Sequence, residues 1–234
     1  MTRHVLVTGA ARGIGRAIAE AFVEAGDTVT TIYRSGELPD GVSGAVADVT
    51  DTVAVNAAFD ELEAQHGRVR VLVANAGITR DGLLMRMSDQ DFEHVIDVNL
   101  TGTFRCVRRA VQSMIREKYG RIVLIGSVVG LMGNPGQVNY SASKSALVGM
   151  ARSITREVGS RGITANVIAP GFIATAMTAE LSDDVVKQYE GNIPAKRFGS
   201  TAEVAAAARF LASDDAGYVS GAVLPVDGGL GMGH

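Results

Sequence analysis

His4-Val5-Leu6-Val7-Thr8, Gly9-Ala10-Ala11-Arg12-Gly13-Ile14-Gly15 and the run from Arg16 to Gly26 form one continuous stretch, and its reading decides the fold. The opening residues are apolar and rich in β-branched side chains, the pattern of a strand buried on both faces. The closing run reads as a helix. Strand, glycine turn and helix in direct succession are the context a dinucleotide fingerprint requires. Gly9 allows the tight turn, Gly13 lets the backbone approach a pyrophosphate, and Gly15 lets the helix pack closely. The helix start, from Gly13-Ile14, presents free N–H groups and a positive dipole end to phosphates. The spacing is Gly-x-x-x-Gly-x-Gly rather than Gly-x-Gly-x-x-Gly. A bare tight turn also accounts for such glycines; their placement favours a phosphate site.

Outward from this unit, Thr28 to Tyr33 reads as a second strand, followed by Arg34. An acidic residue about 20 positions beyond the glycines would hold the ribose hydroxyl of NAD, whereas an Arg there suits the 2′-phosphate of NADP. Arg34 therefore points to NADPH, with Arg12 as a second charge or a solvated loop residue. Glu37 is the nearby carboxylate that argues the other way. Gly41 to Gly44 reads as a loop, Ala45 to Ala47 as a short strand ending at Asp48-Val49, and Thr50 to His66 as a helix with Val53, Ala57, Ala58 and Leu62 on one side. Val69 to Ala74 is a fourth strand, ending at Asn75-Ala76-Gly77. Alternating strands and helices predict a parallel, doubly wound sheet with its ligand crevice beyond the strands' carboxyl ends. Thr8, Asp48, Asn75 and Ser127 are polar residues at such ends.

The second half continues the alternation. A long helix runs from Asp89 through Asn99 and Arg109 to Lys118; Asn99 has no helical advantage there, and capping or bridging at a kink would explain it. Arg121 to Gly126 is a buried strand closed by Ser127, and Tyr140 to Val158 a second long helix. Ile163 to Ile168 is a strand leading to Pro170-Gly171. Residues 172–197 have weak periodicity and read as a lid or substrate loop. Thr201 to Leu211 is a short helix and Ala222 to Val226 a last strand. No domain boundary or repeat interrupts the chain, so residues 1–234 read as a single domain.

Tyr140 and Lys144 stand four apart on a helix, which puts phenol and ammonium on one face. A phenol of pKa about 10 is a poor acid or base at neutral pH, and a neighbouring cation lowers that value. Ser127 alongside would hold the oxygen of a carbonyl or alcohol. The pair alone is a common helical pattern, and a partly buried ring beside a solvated amine would also produce it.

With 47% hydrophobic and 20% charged residues and no apolar run of membrane length, the 234 residues read as a soluble globular protein without membrane insertion. The amino terminus lacks the apolar segment of a secretory signal. Cys106 is the single cysteine and reads as a packed core residue in a reducing cytoplasm. A net charge of −3 argues against nucleic acid as a general partner.

Thr8-Gly9-x-x-x-Gly13-x-Gly15, Asn75-Ala76-Gly77, Asn99, Ser127, Tyr140-x-x-x-Lys144 and Pro170-Gly171, in this order, resemble the short-chain dehydrogenase/reductase family over essentially the whole chain. The resemblance implies an α/β fold, a Rossmann-type doubly wound parallel sheet of seven strands in a single domain. It implies Tyr140 as proton donor, Ser127 holding the substrate carbonyl, Lys144 lowering the tyrosine pKa and binding the nicotinamide ribose, and Asn99 positioning a water in the proton relay. Asp48-Val49 would lie at the adenine, and Asn75, Ala76 and Gly77 would support the cofactor, with Pro170, Gly171, Ile173 and Thr175 contributing from the sixth strand onward. Ile78 to Met87, Ile125 to Gly130 and Pro170-Gly171-Phe172-Ile173-Ala174-Thr175-x-Met177 are similar to the 3-oxoacyl-acyl-carrier-protein reductases of type II fatty-acid synthesis. The tail from Val226 to His234 is similar to their actinobacterial form. That likeness implies NADPH-dependent reduction of a 3-oxoacyl thioester on acyl carrier protein, and a homotetramer built partly through the two long helices, where Ala142, Ser145 and Ala146 permit close approach. Lys118 and Arg161, each just before a strand, are basic candidates for docking an acidic carrier. The short link from Ser35 to Gly44 departs from the family pattern, leaving little room for a helix there. Other readings are a reductase of acetoacetyl-CoA or other small ketones, and a non-catalytic NADPH-sensing regulator; retention of Ser127, Tyr140, Lys144 and Asn99 argues against the regulator.

Overall fold

A computed structural model describes residues 2–175, 178 and 182–232. Met177 and the terminal Gly233-His234, quoted above for their likeness to a family, lie outside the described residues. Seven parallel strands make one sheet in the order β3-β2-β1-β4-β5-β6-β7. They are β1 (His4–Thr8), β2 (Thr28–Tyr33), β3 (Val42–Val46), β4 (Val71–Ala74), β5 (Gly120–Ile125), β6 (Ile163–Pro170) and β7 (Val223–Val226). The order reverses between β1 and β4, which opens the crevice at their carboxyl ends.

Neighbouring residues along a strand point to opposite faces, and the core divides accordingly. Leu6, Leu72, Ile122, Leu124, Ala165 and Val167 face one apolar layer, which receives α2 (Thr52–His66), α4 (Gly102–Glu117) and α6 (Val138–Val158). Val5, Val7, Val71, Val73, Val123 and Ile125 face the other, beneath α1 (Gly13–Glu24) and α8 (Thr201–Leu211). Phe59 and Phe22 anchor the respective layers and are 0% exposed. Truncating either to Ala would cost about 3–5 kcal/mol.

Several expected details are corrected. Residues 34–41 join β2 to β3 without a helix, as the short link led one to expect, but β3 begins at Val42, inside the expected loop. The buried face of α2 is Val55, Ala58, Phe59 and Leu62, while Val53 is 76% exposed and Ala57 is also exposed. Asp51, not the periodicity, sets where α2 starts: its carboxylate accepts the N–H groups of Val53 and Ala54. The helix expected from Asp89 to Lys118 is α3 (Asp89–Ile96), a π-helical turn over Asp97–Thr101, and α4, closed by Lys118 in the left-handed region. A short α5 (Val129–Met132) follows β5. The stretch read as a loop over 172–197 contains α7 (Asp183–Asn192).

Candidate active site

Thr8 closes β1 and fastens the crevice floor. Its buried hydroxyl accepts the backbone N–H groups of Asn75 and Ala76, both at 3.0 Å, and Asn75 Nδ2 donates back to Thr8 O at 3.0 Å and Gly9 O at 3.3 Å. Gly9 turns the chain with φ +74°, and a Cβ on Gly15 would fall 2.4 Å from both Asn75 Nδ2 and Gly9 O. Gly15 therefore packs against the turn that closes β1 and the Asn75 side chain that follows β4. Gly13 and Ile14 open α1. That helix has Arg12 at its N-cap with no side-chain hydrogen bond, and no acidic residue in its first turn. Its leading N–H groups are left for an anion, which fits a dinucleotide phosphate.

At the far end of the crevice Arg34 follows β2 and its Nη1 donates to Asp48 Oδ2 at 3.4 Å. Burial alone would raise the Asp48 pKa; the Thr50 N–H and hydroxyl, with Arg34, bring it below its ordinary value instead. Val49 is buried beside the π turn, where a Cβ on Gly102 would meet its side chain at 2.7 Å. On the other flank Pro170 O accepts Val128 N–H at 2.9 Å, Gly171 N–H donates to Val226 O at 3.0 Å, and Ile173 is bridged to Gly199. Thr175 N–H donates to Thr178 Oγ1 at 2.8 Å.

Between these flanks lie Ser127, Tyr140, Lys144 and Asn99. Ser127 follows β5, and its Oγ accepts Val129 N–H at 3.2 Å. Lys144 is 5% exposed and donates from Nζ to Ile125 O at 2.8 Å; the same Nζ lies 5.7 Å from the Tyr140 ring centroid. Burial pushes the Tyr140 phenol above its ordinary value, with the Ser127 hydroxyl opposing and the Asp81 charge adding to the rise. Burial also brings the Lys144 ammonium down to about 8. The direction for Tyr140 is set by burial, and Lys144, 5.7 Å from the ring centroid and bonded to Ile125 O, is not among its causes. The amine is engaged with a carbonyl at the strand end, and desolvation keeps the phenol protonated.

Asn99 sits in the π turn and is fully buried. Its Oδ1 accepts Ile78 N–H at 2.8 Å, and its Nδ2 donates to Ile78 O at 3.0 Å and to Ser143 Oγ at 3.1 Å. A π turn inserted into an α-helix shifts the register of the residues that follow, a device frequent at functional sites. Gly77 lies close to both Asn99 and Lys144: a Cβ there would lie 3.2 Å from Asn99 Oδ1 and 3.4 Å from Lys144 Nζ.

Asn139 and Ser143 complete the arrangement beyond the residues singled out by motif. Asn139 is 0% exposed; its Oδ1 accepts Tyr140 N–H at 2.7 Å and its Nδ2 donates to Arg80 O at 2.9 Å. A polar residue beside Tyr140 was the available signal, but its direction depends on a loop from β4. Lys118 and Arg161 lie at the amino ends of β5 and β6, opposite the crevice of their own chain.

A family model described as enoyl-(acyl carrier protein) reductase matches residues 9–231. The chain is 52% identical over 234 residues to the 3-oxoacyl-[acyl-carrier-protein] reductase MabA of Mycobacterium tuberculosis, covering 100% of this chain and 95% of that protein. It is 51% identical over 234 residues to MabA of Mycobacterium avium, covering 100% and 92%. Against the 3-oxoacyl-[acyl-carrier-protein] reductase FabG of Escherichia coli it is 46% identical over 235 aligned positions, covering 97% and 96%.

Proposed function

We propose that this chain, which belongs to the short-chain dehydrogenase/reductase family, uses NADPH to reduce 3-oxoacyl groups on acyl carrier protein to 3-hydroxyacyl groups in type II fatty-acid synthesis. The observation that carries this reading is the convergence of Ser127, Tyr140 and Lys144 beyond β5, next to an α1 start left open for phosphate.

The chemistry that the nicotinamide supplies when bound is a hydride for C3 of the substrate. Ser127 donates to the carbonyl oxygen, and Tyr140 protonates it as charge develops. Burial alone holds the Tyr140 proton more tightly, so donation calls for a cation brought beside the phenol to favour its release. Lys144, at about 8, stands as the next proton source and as a ribose ligand once it leaves Ile125 O. Asn99 positions a water in the proton relay, and its amide holds Ile78 and with it the Asn75-Ala76-Gly77 segment against the cofactor. Gly9, Arg12, Gly13, Ile14 and Gly15 cradle the pyrophosphate, Arg34 takes the 2′-phosphate, and Asp48-Val49 border the adenine. Pro170, Gly171, Ile173 and Thr175 border the nicotinamide side, and residues 172–197 serve as the substrate loop. In this reading the enzyme works in the cytoplasm as a homotetramer paired through α4 and α6, where Phe104, Ala142 and Ser145 are exposed. Among the described residues no helix is long and apolar enough to cross a membrane.

The matching family model is described by enoyl reduction, so the deciding assay follows NADPH oxidation with 3-oxoacyl and trans-2-enoyl thioesters of the same carrier and chain length. Turnover of the 3-oxoacyl substrate is expected. Equal or faster turnover of the enoyl substrate would replace this reading with enoyl reduction.

A further inference from the structure

Ser143 lies between Tyr140 and Lys144 on α6 and is 0% exposed. Its hydroxyl donates to Tyr140 O at 2.7 Å and accepts from Asn99 Nδ2 at 3.1 Å. One side chain thus connects the backbone that carries the phenol to the amide in the π turn. We propose that Ser143 is a positioning residue for the proton relay, holding Asn99 and Tyr140 in register across two separate helices. The inference rests on the catalytic reading of Ser127, Tyr140, Lys144 and Asn99 given above.

Helix economy does not explain this serine. A serine bonding back to the preceding turn is neutral or slightly unfavourable inside a helix, and alanine would suit α6 better. What the hydroxyl adds is the bond to a second element. The Asn99 amide is fully matched: its oxygen serves Ile78 N–H, and its nitrogen serves Ile78 O and Ser143 Oγ. Without the hydroxyl, one buried N–H has no acceptor. The amide then relieves the loss only by turning, at the expense of its bonds to Ile78. Because Asn99 Oδ1 and Lys144 Nζ both lie within 3.4 Å of where a Cβ on Gly77 would stand, that movement reaches the surroundings of the lysine. Tyr140 is also held from the opposite side, where Asn139 Oδ1 accepts its N–H. The two peptide groups flanking the tyrosine are therefore both tied by side chains, and only the Ser143 tie leads to another catalytic group.

The test compares wild type, Ser143→Ala, Asn99→Ala, the double variant and Tyr140→Phe, using NADPH and an acetoacetyl thioester. Fluorescence titration with NADPH counts binding-competent sites, so that kcat is expressed per site and misfolded protein does not enter. Ser143→Ala is expected to lower kcat by about tenfold or more, as displacement of aligned groups does, while its KM for NADPH moves by less than about threefold. The solvent deuterium isotope effect on kcat should rise as proton delivery slows. In the Asn99→Ala background, adding Ser143→Ala should produce little further loss. A normal kcat in Ser143→Ala, or a fall with an unchanged isotope effect that repeats in full in the Asn99→Ala background, would overturn the positioning role. Wild-type turnover in Tyr140→Phe or Asn99→Ala would instead overturn the catalytic reading on which it rests.

Discussion

Lys144 donates to the carbonyl of Ile125 at 2.8 Å, so the cation reaches for the end of its neighbouring strand rather than for the phenol four residues before it. Its ammonium falls from an ordinary 10.5 to about 8 through burial. Between pH 8 and 10.5 the unfolded chain binds the proton that the folded chain releases, so stability should rise with pH across that window. At neutral pH the buried charge costs on the order of 3 kcal/mol. Lys144→Met should abolish turnover, raise stability at pH 7 by about 1–3 kcal/mol, and remove its share of the alkaline rise in denaturant titrations.

Tyr140→Phe keeps the ring and removes the proposed proton donor. We expect kcat to fall by at least about 10²-fold with little change in NADPH affinity. Steady-state kinetics with fluorescence binding check it, and near wild-type turnover would reject the donor.

Arg34 pairs with Asp48 at 3.4 Å and its side chain is 63% exposed, so it is free to exchange that partner for a ligand phosphate. Arg34→Asp should lower the ratio of NADPH to NADH efficiency by more than about tenfold, each tenfold representing about 1.4 kcal/mol. Equal efficiencies with the two cofactors in the unmutated protein would contradict the role from the start.

His4 fills the β1 start far from the crevice, with Nδ1 facing Gly67 O at 2.6 Å and Nε2 facing Thr30 Oγ1 at 2.8 Å. Burial pushes its pKa below 6.5; Gly67 O and Glu63 oppose this and His66 adds to it. A histidine with a depressed folded pKa takes up its proton more readily when unfolded. Stability should therefore decline as pH drops below 6.5. Thermal melts of His4→Gln between pH 7.5 and about 5 should show a shallower decline than wild type; identical slopes would remove His4 from the acid response.

Lys118 and Arg161 lie at the edge opposite their own crevice, so docking an acidic carrier through them requires a neighbouring subunit. Reversing both to Glu should lower kcat/KM for a carrier-bound substrate and flatten its salt dependence, because steering acts on association. A small uncharged 3-oxoacyl thioester should be almost unaffected. Equal losses for both substrates would mean structural damage rather than lost docking.

The amino-acid sequence by itself determined the alternation of elements, the glycine turn ahead of α1, the strand ending at Ser127 and the helical pairing of Tyr140 with Lys144. Each depends on local periodicity or on a turn, both written in neighbouring residues. The tertiary structure alone decided what these groups touch. Nothing local marks the extra residue of the π turn at Asn99, since its partners Ile78 and Ser143 come from elsewhere in the chain. The alanine-rich α2 is apolar on more than one side, and packing on the sheet selected Val55 and Phe59 over Val53. The surroundings of Tyr140 followed the same logic: spacing placed a cation on its face of the helix, but the tertiary packing gave that cation the Ile125 carbonyl and buried the phenol, which raises its pKa. Desolvation depends on what surrounds a group from every side, and that becomes defined only when the separate elements close around it.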